Sequence, residues 1–146
     1  MVESTGATGQ VIPPFSKTNS RAPGLQASYY GPVLTHPNLF AVYNIWESIH
    51  SHHKFQHSPE YGPFLFLVFP MLDGPIKFAH LDVENMKELR TTLESPVHQT
   101  SSLNVAMDKA GAYLKWWDED SQKYLGGEKM NAIWLGYSYE DPYVHL

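Results

Sequence analysis

The strongest constraint on the fold is a short segment of alternating side chains that begins at Phe40 and ends at Trp46. A period of two predicts a half-buried β-strand, because successive side chains of a strand point to opposite faces. One predicted face is large and aromatic, and the residues divide as Phe40, Val42, Asn44 and Trp46 against Ala41, Tyr43 and Ile45. The preceding segment 25–34 and the turn-forming residues 35–38 complete a predicted hairpin with this strand.

Two helices are predicted directly after this strand. Ser48 is a suitable N-cap for a short helix that carries four notable rings: His50, His52, His53 and Phe55. Ser58 and Pro59 are typical of the start of a second helix, which Asp73 and Gly74 end. The apolar side chains of this second helix form one continuous stripe: Phe64, Leu65, Val68, Phe69 and Leu72.

Three further strands are predicted downstream, over residues 76–81, 97–107 and 132–139. In the first of them, regular alternation puts Phe78 and His80 on one face. A residue on a strand is held rigidly by its neighbours, which is an advantage for a catalytic side chain.

Two further helices are predicted between these strands. One begins at Asp82 or Glu84 and ends at Leu93. The other has Asp108 as its N-cap and ends at the glycines that begin with Gly126. The order of strands and helices predicts an α+β fold, with an antiparallel sheet and helices gathered on one face.

Length and composition predict a single domain. The chain has 146 residues, enough for one core, and its 11 prolines and 10 glycines indicate many turns. Residues 1–26 are poor in apolar side chains and are predicted to form a flexible N-terminal arm. Residues 27–146 are then the folded domain.

Charge and cysteine content exclude several classes of function. The net charge is −5 and the 10 Lys and Arg residues are scattered, so a nucleic-acid partner is not expected. The chain has no cysteine, which excludes disulfides, thiolate nucleophiles and cysteine metal sites. No apolar run reaches the ~18 residues of a membrane span, and the N-terminus does not resemble a signal peptide. We therefore expect a soluble, cytoplasmic protein without a membrane partner.

Aromatic residues make up 14% of the chain, which also has 8 histidines. Such side chains suit a pocket for a flat, partly polar ligand, and they equally suit an aromatic core. The hydroxyls of Tyr29, Tyr30, Tyr43 and Tyr61 are of the kind that stabilises a developing enolate oxygen. Packing is the alternative role for each of them.

The histidines are candidates for metal binding or for acid-base catalysis. His53 and His57 are four residues apart, but Pro59 limits the helix and no carboxylate accompanies them, so we expect no metal and no cofactor. His80 and His98 are predicted on neighbouring strands, where an imidazole can act as a base near pH 7. Each is alternatively a core histidine bonded to a backbone carbonyl. His80 is favoured as the base over His98, and over His52 and His53, which are predicted to lie in a polar turn open to water.

Three motifs lie close together in the central part of the chain: Trp46-Glu47-Ser48, His52-His53-Lys54-Phe55 and Ser58-Pro59-Glu60-Tyr61. Over residues 28–84 the chain resembles the dimeric α+β barrel superfamily, in particular fungal stress-response A/B-barrel and antibiotic-biosynthesis-monooxygenase-like proteins. The resemblance implies a ferredoxin-like sheet, a barrel formed across a homodimer, and an apolar pocket between sheet and helices. Members include cofactor-free monooxygenases, polyketide cyclases of the olivetolic acid cyclase type, and proteins with no known chemistry.

The chain departs from the family pattern in two ways. A family unit begins with a strand and a helix before the hairpin, whereas here a strand-helix pair falls at 97–125, as in a trimmed two-repeat form or a permuted unit. The cyclase motif His-Pro-x-His also differs, because Tyr61 stands at its second histidine, Phe55 at a tyrosine, and Phe40 at the strand histidine. The cyclase catalytic set is therefore not reproduced.

These observations lead to one principal hypothesis and two alternatives. The first is a cofactor-independent enzyme of natural-product metabolism that promotes cyclisation, isomerisation or elimination of a polyketide- or terpenoid-like molecule. The alternatives are a cofactor-free monooxygenase acting on a phenol and a non-catalytic stress-response or ligand-binding protein. The candidate catalytic residues are His80, His98 and Tyr61. The candidate substrate-binding residues are Tyr29, Phe40, Tyr43, Trp46, His52, Phe55, Phe64, Phe78 and Trp117.

Overall fold

The strands and helices come from a computed structural model that describes residues 2–6, 22–74, 76, 78–101, 103–124, 132–139 and 144–145. The strands are β1 (Val2–Gly6), β2 (Leu25–Val33), β3 (His36–Trp46), β4 (Leu81–Val83), β5 (Val97–Ser101), β6 (Leu103–Asn104), β7 (Gly136–Ser138) and β8 (Val144–His145). The α-helices are α1 (Ile49–Gln56), α2 (Tyr61–Val68), α3 (Met86–Leu93) and α4 (Ala110–Asp120). Short 3₁₀ turns cover Phe69–Met71, Met107–Lys109 and Ser121–Tyr124. Within the described ranges, every helix is too short or too polar to cross a membrane.

The strands form two antiparallel sheets of four strands each. The first sheet has the order β3-β2-β1-β5, and the second has the order β4-β7-β8-β6. The predicted α+β class with antiparallel pairing is therefore confirmed. The strands divide between two sheets, whereas the family resemblance implied one.

The hairpin of β2 and β3 is the longest pairing in the first sheet. Tyr29 lies opposite Tyr43, and the chain reverses at residues 34–35. The predicted hairpin is confirmed, although β3 begins at His36 and is longer than expected. Its Ile45 face is the buried one, while Phe40 on the other face is 59% exposed.

Strand β1 lies inside the first sheet. It pairs with β5 from Val2 opposite Ser101 to Gly6 opposite Val97, and its Thr5 also pairs with Val33 of β2. The sequence predicted an arm over residues 1–26. Residues 7–21 of that arm lie outside the described part of the chain, and their flexibility stays a prediction.

Helix α3 joins the two sheets through the core. Its Leu89 and Leu93 pack with Ile45 of β3 and with Trp134, which precedes β7. Leu93 is only 1% exposed. The helix is amphipathic because its apolar residues recur on one side. Apolar residues of β2, β3 and β4 pack around this cluster: Ala27, Tyr29, Tyr43, Leu81 and Val83.

The start of α3 differs from the prediction. The N-cap is Asn85, whose side-chain oxygen accepts a hydrogen bond from the backbone N–H of Glu88 at 3.2 Å. Asp82 and Glu84 were the predicted caps. Asp82 is instead part of β4, where it pairs with Tyr137. An asparagine satisfies the free N–H groups of the first turn as well as an aspartate does.

The predicted strand 76–81 is wrong for most of its length, because residues 78–80 have no regular structure and β4 begins only at Leu81. Helix α2 is also shorter than predicted. It ends at Val68, and the next turn is 3₁₀ with Pro70 inside it. Proline has no N–H for an α-helical hydrogen bond, which accounts for the change of helix type. Within the predicted apolar stripe, Val68 is buried, whereas Phe69 and Leu72 are exposed.

The predicted elements of the C-terminal half are shorter in the structure. The predicted strand 97–107 separates into β5 and β6, which belong to different sheets. Helix α4 has no side-chain N-cap, so the prediction of a cap at Asp108 is wrong. The last predicted strand, 132–139, corresponds to β7, which covers only Gly136–Ser138. The predicted helix end at Gly126 lies outside the described residues.

Candidate active site

The site is built where β3 ends and α1 begins. Ser48 has extended backbone and its Oγ accepts a hydrogen bond from the N–H of Ser51 at 3.1 Å, so it caps α1 as predicted. The cap fixes the first turn of α1 directly after Trp46, the last residue of β3. One side of this turn therefore brings the imidazole of His52 over the indole of Trp46. The two rings are stacked, with centroids 4.8 Å apart and planes 26° apart.

His52 and His80 form a hydrogen-bonded pair of imidazoles. Nδ1 of His52 lies 2.8 Å from Nε2 of His80, which is a normal hydrogen-bond distance. One of these nitrogens carries the hydrogen and donates, and the other accepts. Both rings are half-buried. The pair links α1 to the segment that leads into the second sheet.

His80 lies just before β4, so its prediction as a strand residue is wrong. Its backbone is nevertheless tied to the second sheet, because the carbonyl of His80 accepts a hydrogen bond from the N–H of Tyr139 at 2.9 Å. The predicted neighbour Phe78 does contact it, with ring centroids 5.5 Å apart. Phe78 is 65% exposed. His80 itself is half-buried.

A row of aromatic contacts extends from the histidine pair toward α2. Trp46 contacts Phe55, and Phe55 is in edge contact with Tyr61 and Phe64 of α2. Phe55 is the buried member of this row. Such contacts between rings hold the side chains in fixed relative positions. The row places Tyr61, which has a hydroxyl, in the same cluster as the histidine pair.

The environment of His52 keeps its imidazole neutral. The pKa of His52 is lowered to about 4, mainly by burial and in addition by the neighbouring imidazoles of His80 and His53. A neutral ring can accept or donate a proton at pH 7. Geometry adds a limit, since two protonated rings would point N–H groups at each other across 2.8 Å. The pair can therefore hold one extra proton but not two.

His98 is located elsewhere, on β5 in the first sheet. It is 8% exposed, and its ring meets the ring of Tyr43 edge-on at 5.4 Å. The Tyr43 hydroxyl is 2.9 Å from Oγ1 of Thr100, which lies on β5 like His98. Burial lowers the pKa of His98. Because His80 precedes a strand of the other sheet, the prediction that His80 and His98 lie on neighbouring strands is wrong.

Three other predicted substrate-binding residues also lie apart from the pair. Tyr29 donates a hydrogen bond to Glu94 at 3.0 Å. The pKa of Tyr29 is raised, mainly by burial and secondly by the Glu94 carboxylate. Phe40 is on the outer face of β3. Trp117 of α4 lines a small cavity of about 160 Å³ together with Trp134.

The structure therefore brings together seven of the twelve predicted site residues: Trp46, His52, Phe55, Tyr61, Phe64, Phe78 and His80. His53 was absent from the predicted set, yet its ring is 5.8 Å from that of His80. Its position next to His52 in the sequence was the available signal. His52 was predicted to lie in a turn open to water, which is wrong because the ring is half-buried.

A metal centre is not apparent at the pair. The part of the chain that the structure describes holds no group of three or more His, Cys, Asp and Glu side chains arranged for a metal ion. The expected absence of metal and cofactor stays a prediction. The arrangement has two parts of an acid-base site, a pair of hydrogen-bonded imidazoles and an indole stacked on one of them, and the Tyr61 phenol is connected to them through Phe55 and Trp46.

Comparisons with protein-family models, with curated proteins and with solved structures give no match. The resemblance to the dimeric α+β barrel superfamily therefore stays an expectation from the sequence. Any function for the site must be argued from its own geometry.

Proposed function

We propose that this protein is a cofactor-independent enzyme of natural-product metabolism, with His80 as its acid-base residue and His52 as the partner of His80. The reaction class is cyclisation, isomerisation or elimination of a polyketide- or terpenoid-like small molecule. The observation that carries the proposal is the 2.8 Å contact between Nδ1 of His52 and Nε2 of His80. A positioned base of this kind contributes roughly 10²–10⁴-fold to a rate.

The pair suits the removal of a proton from a carbon next to a carbonyl group. The proton moves to an imidazole nitrogen, and the hydrogen bond between the two rings spreads the added positive charge. Since the pair holds one added proton, it must return that proton to the product before the next turnover. The Tyr61 hydroxyl is the candidate donor to the developing enolate oxygen.

The surroundings of the pair favour an aromatic or polyunsaturated substrate. Phe78 is exposed beside His80, and Trp46 stacks on His52, so flat apolar surface borders both imidazoles. Such surface binds flat, weakly polar molecules through burial and ring stacking. The buried ring of Phe55 also supports the non-catalytic alternative, because the cluster is partly filled by its own side chains.

The test uses a simple ketone, because the natural substrate need not be known. Hydrogen-deuterium exchange at the carbons next to the carbonyl of 4-phenylbutan-2-one is followed by NMR in D₂O. The wild-type protein is expected to accelerate exchange, and His80→Phe is expected to lower that acceleration by roughly 10²–10⁴-fold. His36→Phe is the matched control, since His36 is an exposed histidine of β3.

Two results would contradict the proposal. Equal exchange with wild-type and His80→Phe protein would remove His80 as the base, and absence of any acceleration would favour a binding protein. Oxygen uptake with candidate phenols distinguishes the monooxygenase alternative from the proposed function, because a cyclase or isomerase consumes no dioxygen. A folded His80→Phe protein is verified by circular dichroism before its rate is interpreted.

We also propose that two copies pair as a dimeric α+β barrel. The support is the outer face of the first sheet, where Phe40 is 59% and Val42 is 38% exposed. A second copy would cover such a face with the same patch, as two-fold symmetric interfaces do. Light scattering at micromolar concentration is expected to show that the wild-type protein is a dimer and that the Phe40→Lys variant is a monomer. A monomeric wild-type protein would overturn this proposal.

A further inference from the structure

The largest cavity that we describe is a cleft beside α1. It has a volume of about 750 Å³ and is bordered by the start of β2, by α1 and by the start of α2. Its α1 side is formed by Ser51, Lys54 and Phe55, and Ser58 borders it just after the helix ends. The three helical positions are spaced i, i+3 and i+4 and share one helical face. The histidine pair does not line the cleft, and Phe55 is the one residue that it shares with the aromatic row of the candidate active site.

The cleft depends on a close approach of two chain segments. Gly24 precedes β2 and has a φ of +86°, in the left-handed region that favours glycine. A Cβ atom at Gly24 would lie 2.6 Å from Cβ of Ser51. The N–H of Glu47 donates to the carbonyl of Gly24 at 2.7 Å, which fixes the same approach from the β3 side. One wall of the cleft is therefore rigidly held.

Charged groups of both signs border the cleft. Lys54 supplies an ammonium group, and Glu47 and Glu60 supply carboxylates. All three side chains are exposed, and none of them takes part in the ion pairs found in the described ranges. Charges that have no protein partner are available to a ligand.

A buried hydroxyl and an apolar floor complete the site. Oγ of Ser58 is shielded from solvent and has no hydrogen-bond partner within the described chain, which is an unfavourable state for a hydroxyl. The apolar part of the lining comes from the ring of Phe55 and three prolines: Pro23, Pro59 and Pro63. Clefts of roughly 300–1,000 Å³ with an apolar lining and few polar groups are typical of small-molecule sites.

We infer that this cleft binds a zwitterion with an apolar body, namely an amino acid or a short peptide with free ends. Lys54 binds the carboxylate of the ligand, and Glu47 and Glu60 bind its ammonium group. Ser58 turns its hydroxyl to the carboxylate, and the apolar side chain of the ligand lies on Phe55. A simple anion or a simple cation would satisfy only one of the two charge types.

Matched probes test the two charge contacts separately. Alanylphenylalanine carries both charges, its N-acetyl form lacks the ammonium group, and its C-terminal amide lacks the carboxylate. Calorimetry is expected to give at least tenfold weaker binding for each blocked form, because one charge on the protein then has no partner. L-Phenylalanine is a fourth probe, and its affinity relative to the dipeptide distinguishes a free amino acid from a peptide.

Variants assign the contacts to residues. Lys54→Gln is expected to remove the preference for the dipeptide over its C-terminal amide. The double variant Glu47→Gln/Glu60→Gln is expected to remove the preference for the dipeptide over its N-acetyl form. Lys87→Gln is the matched control, since Lys87 is an exposed lysine of α3 outside the cleft. The inference is overturned if no probe binds at millimolar concentration, if blocked and free forms bind equally, or if Lys54→Gln and Lys87→Gln behave alike.

Discussion

Two regions of this protein place a histidine among aromatic side chains, and they differ in what the histidine can do. In the first sheet, His98 is 8% exposed and meets the ring of Tyr43. Near β4, His80 is half-buried and bonded to His52. Burial lowers the pKa of His98 and also that of His52. Burial by itself is therefore shared, and the second imidazole distinguishes the proposed active site.

The comparison also separates rigidity from accessibility. His98 is fixed by the antiparallel pairing of β5 with β1, in which it lies opposite Thr5. His80 lies outside regular structure and beside the exposed ring of Phe78. A base must reach the proton that it removes, so a half-buried ring that is bonded to a second imidazole suits catalysis better than a buried one. We therefore propose a packing role for His98 and an acid-base role for His80.

The largest expected effect is on catalytic rate. In the ketone exchange assay, His80→Phe is expected to lower the exchange rate by roughly 10²–10⁴-fold. His98→Phe is expected to change that rate by less than about threefold. His52→Phe keeps the ring stack on Trp46 but removes the bonded nitrogen, and it is expected to fall between them. Comparable losses for His80→Phe and His98→Phe would end the distinction between the two regions.

The second effect is on stability and has the opposite order. His98→Ala leaves a cavity in the first sheet and is expected to cost about 1–3 kcal/mol in the free energy of unfolding. His80→Ala removes a half-buried ring from an irregular segment and is expected to cost about 1 kcal/mol or less. Urea unfolding of both variants gives the two values. A larger loss for His80→Ala would identify His80 as a structural histidine.

The third effect is the dependence of stability on pH. The pKa of His52 is about 4 in the folded protein and about 6.5 in the unfolded chain, so the unfolded chain binds more protons between these values. The contribution of His52 is fully present above pH 6.5 and is lost as the pH falls toward 4. With allowance for solvent screening of a half-buried ring, the loss is about 1–2 kcal/mol.

The matched variants for this measurement are His52→Phe and His36→Phe. Urea unfolding at several pH values is expected to show a shallower decline for His52→Phe than for wild-type protein, and an unchanged decline for His36→Phe. The lowered pKa of His98 acts in the same direction, so some decline remains in every variant. Identical profiles for wild-type and His52→Phe protein would show that His52 is not the group concerned.

Local features of the site were predictable from the sequence, and its long-range contact was not. Ser48 signals the start of α1, and the turn-forming residues 35–38 signal the hairpin, because both depend on residues close together in the chain. The turn itself falls at residues 34–35, and His36 already begins β3. The contact between His52 and His80 joins residues 28 positions apart. It depends on how the segment before β4 runs, and this segment was predicted to be a strand.

The error over His80 and His98 has a related cause. Alternation over residues 76–81 is a real pattern, but a strand forms only where a partner supplies hydrogen bonds, and the pairing of β7 with this region is limited to Leu81–Val83. Which strand belongs to which sheet is decided by pairings between distant segments. The sequence pattern around His98 contains no information that β5 lies beside β1.

The central claim is that His52 and His80 share one proton-binding unit, and NMR of the imidazole nitrogens tests it most directly. In ¹H–¹⁵N spectra recorded from pH 8 to pH 3.5, His52 is expected to stay neutral down to about pH 4. In His80→Phe the pKa of His52 is expected to rise toward its ordinary value but not to reach it, because burial remains. An unchanged titration of His52 in His80→Phe, or an ordinary pKa of His52 in the wild-type protein, would contradict the account.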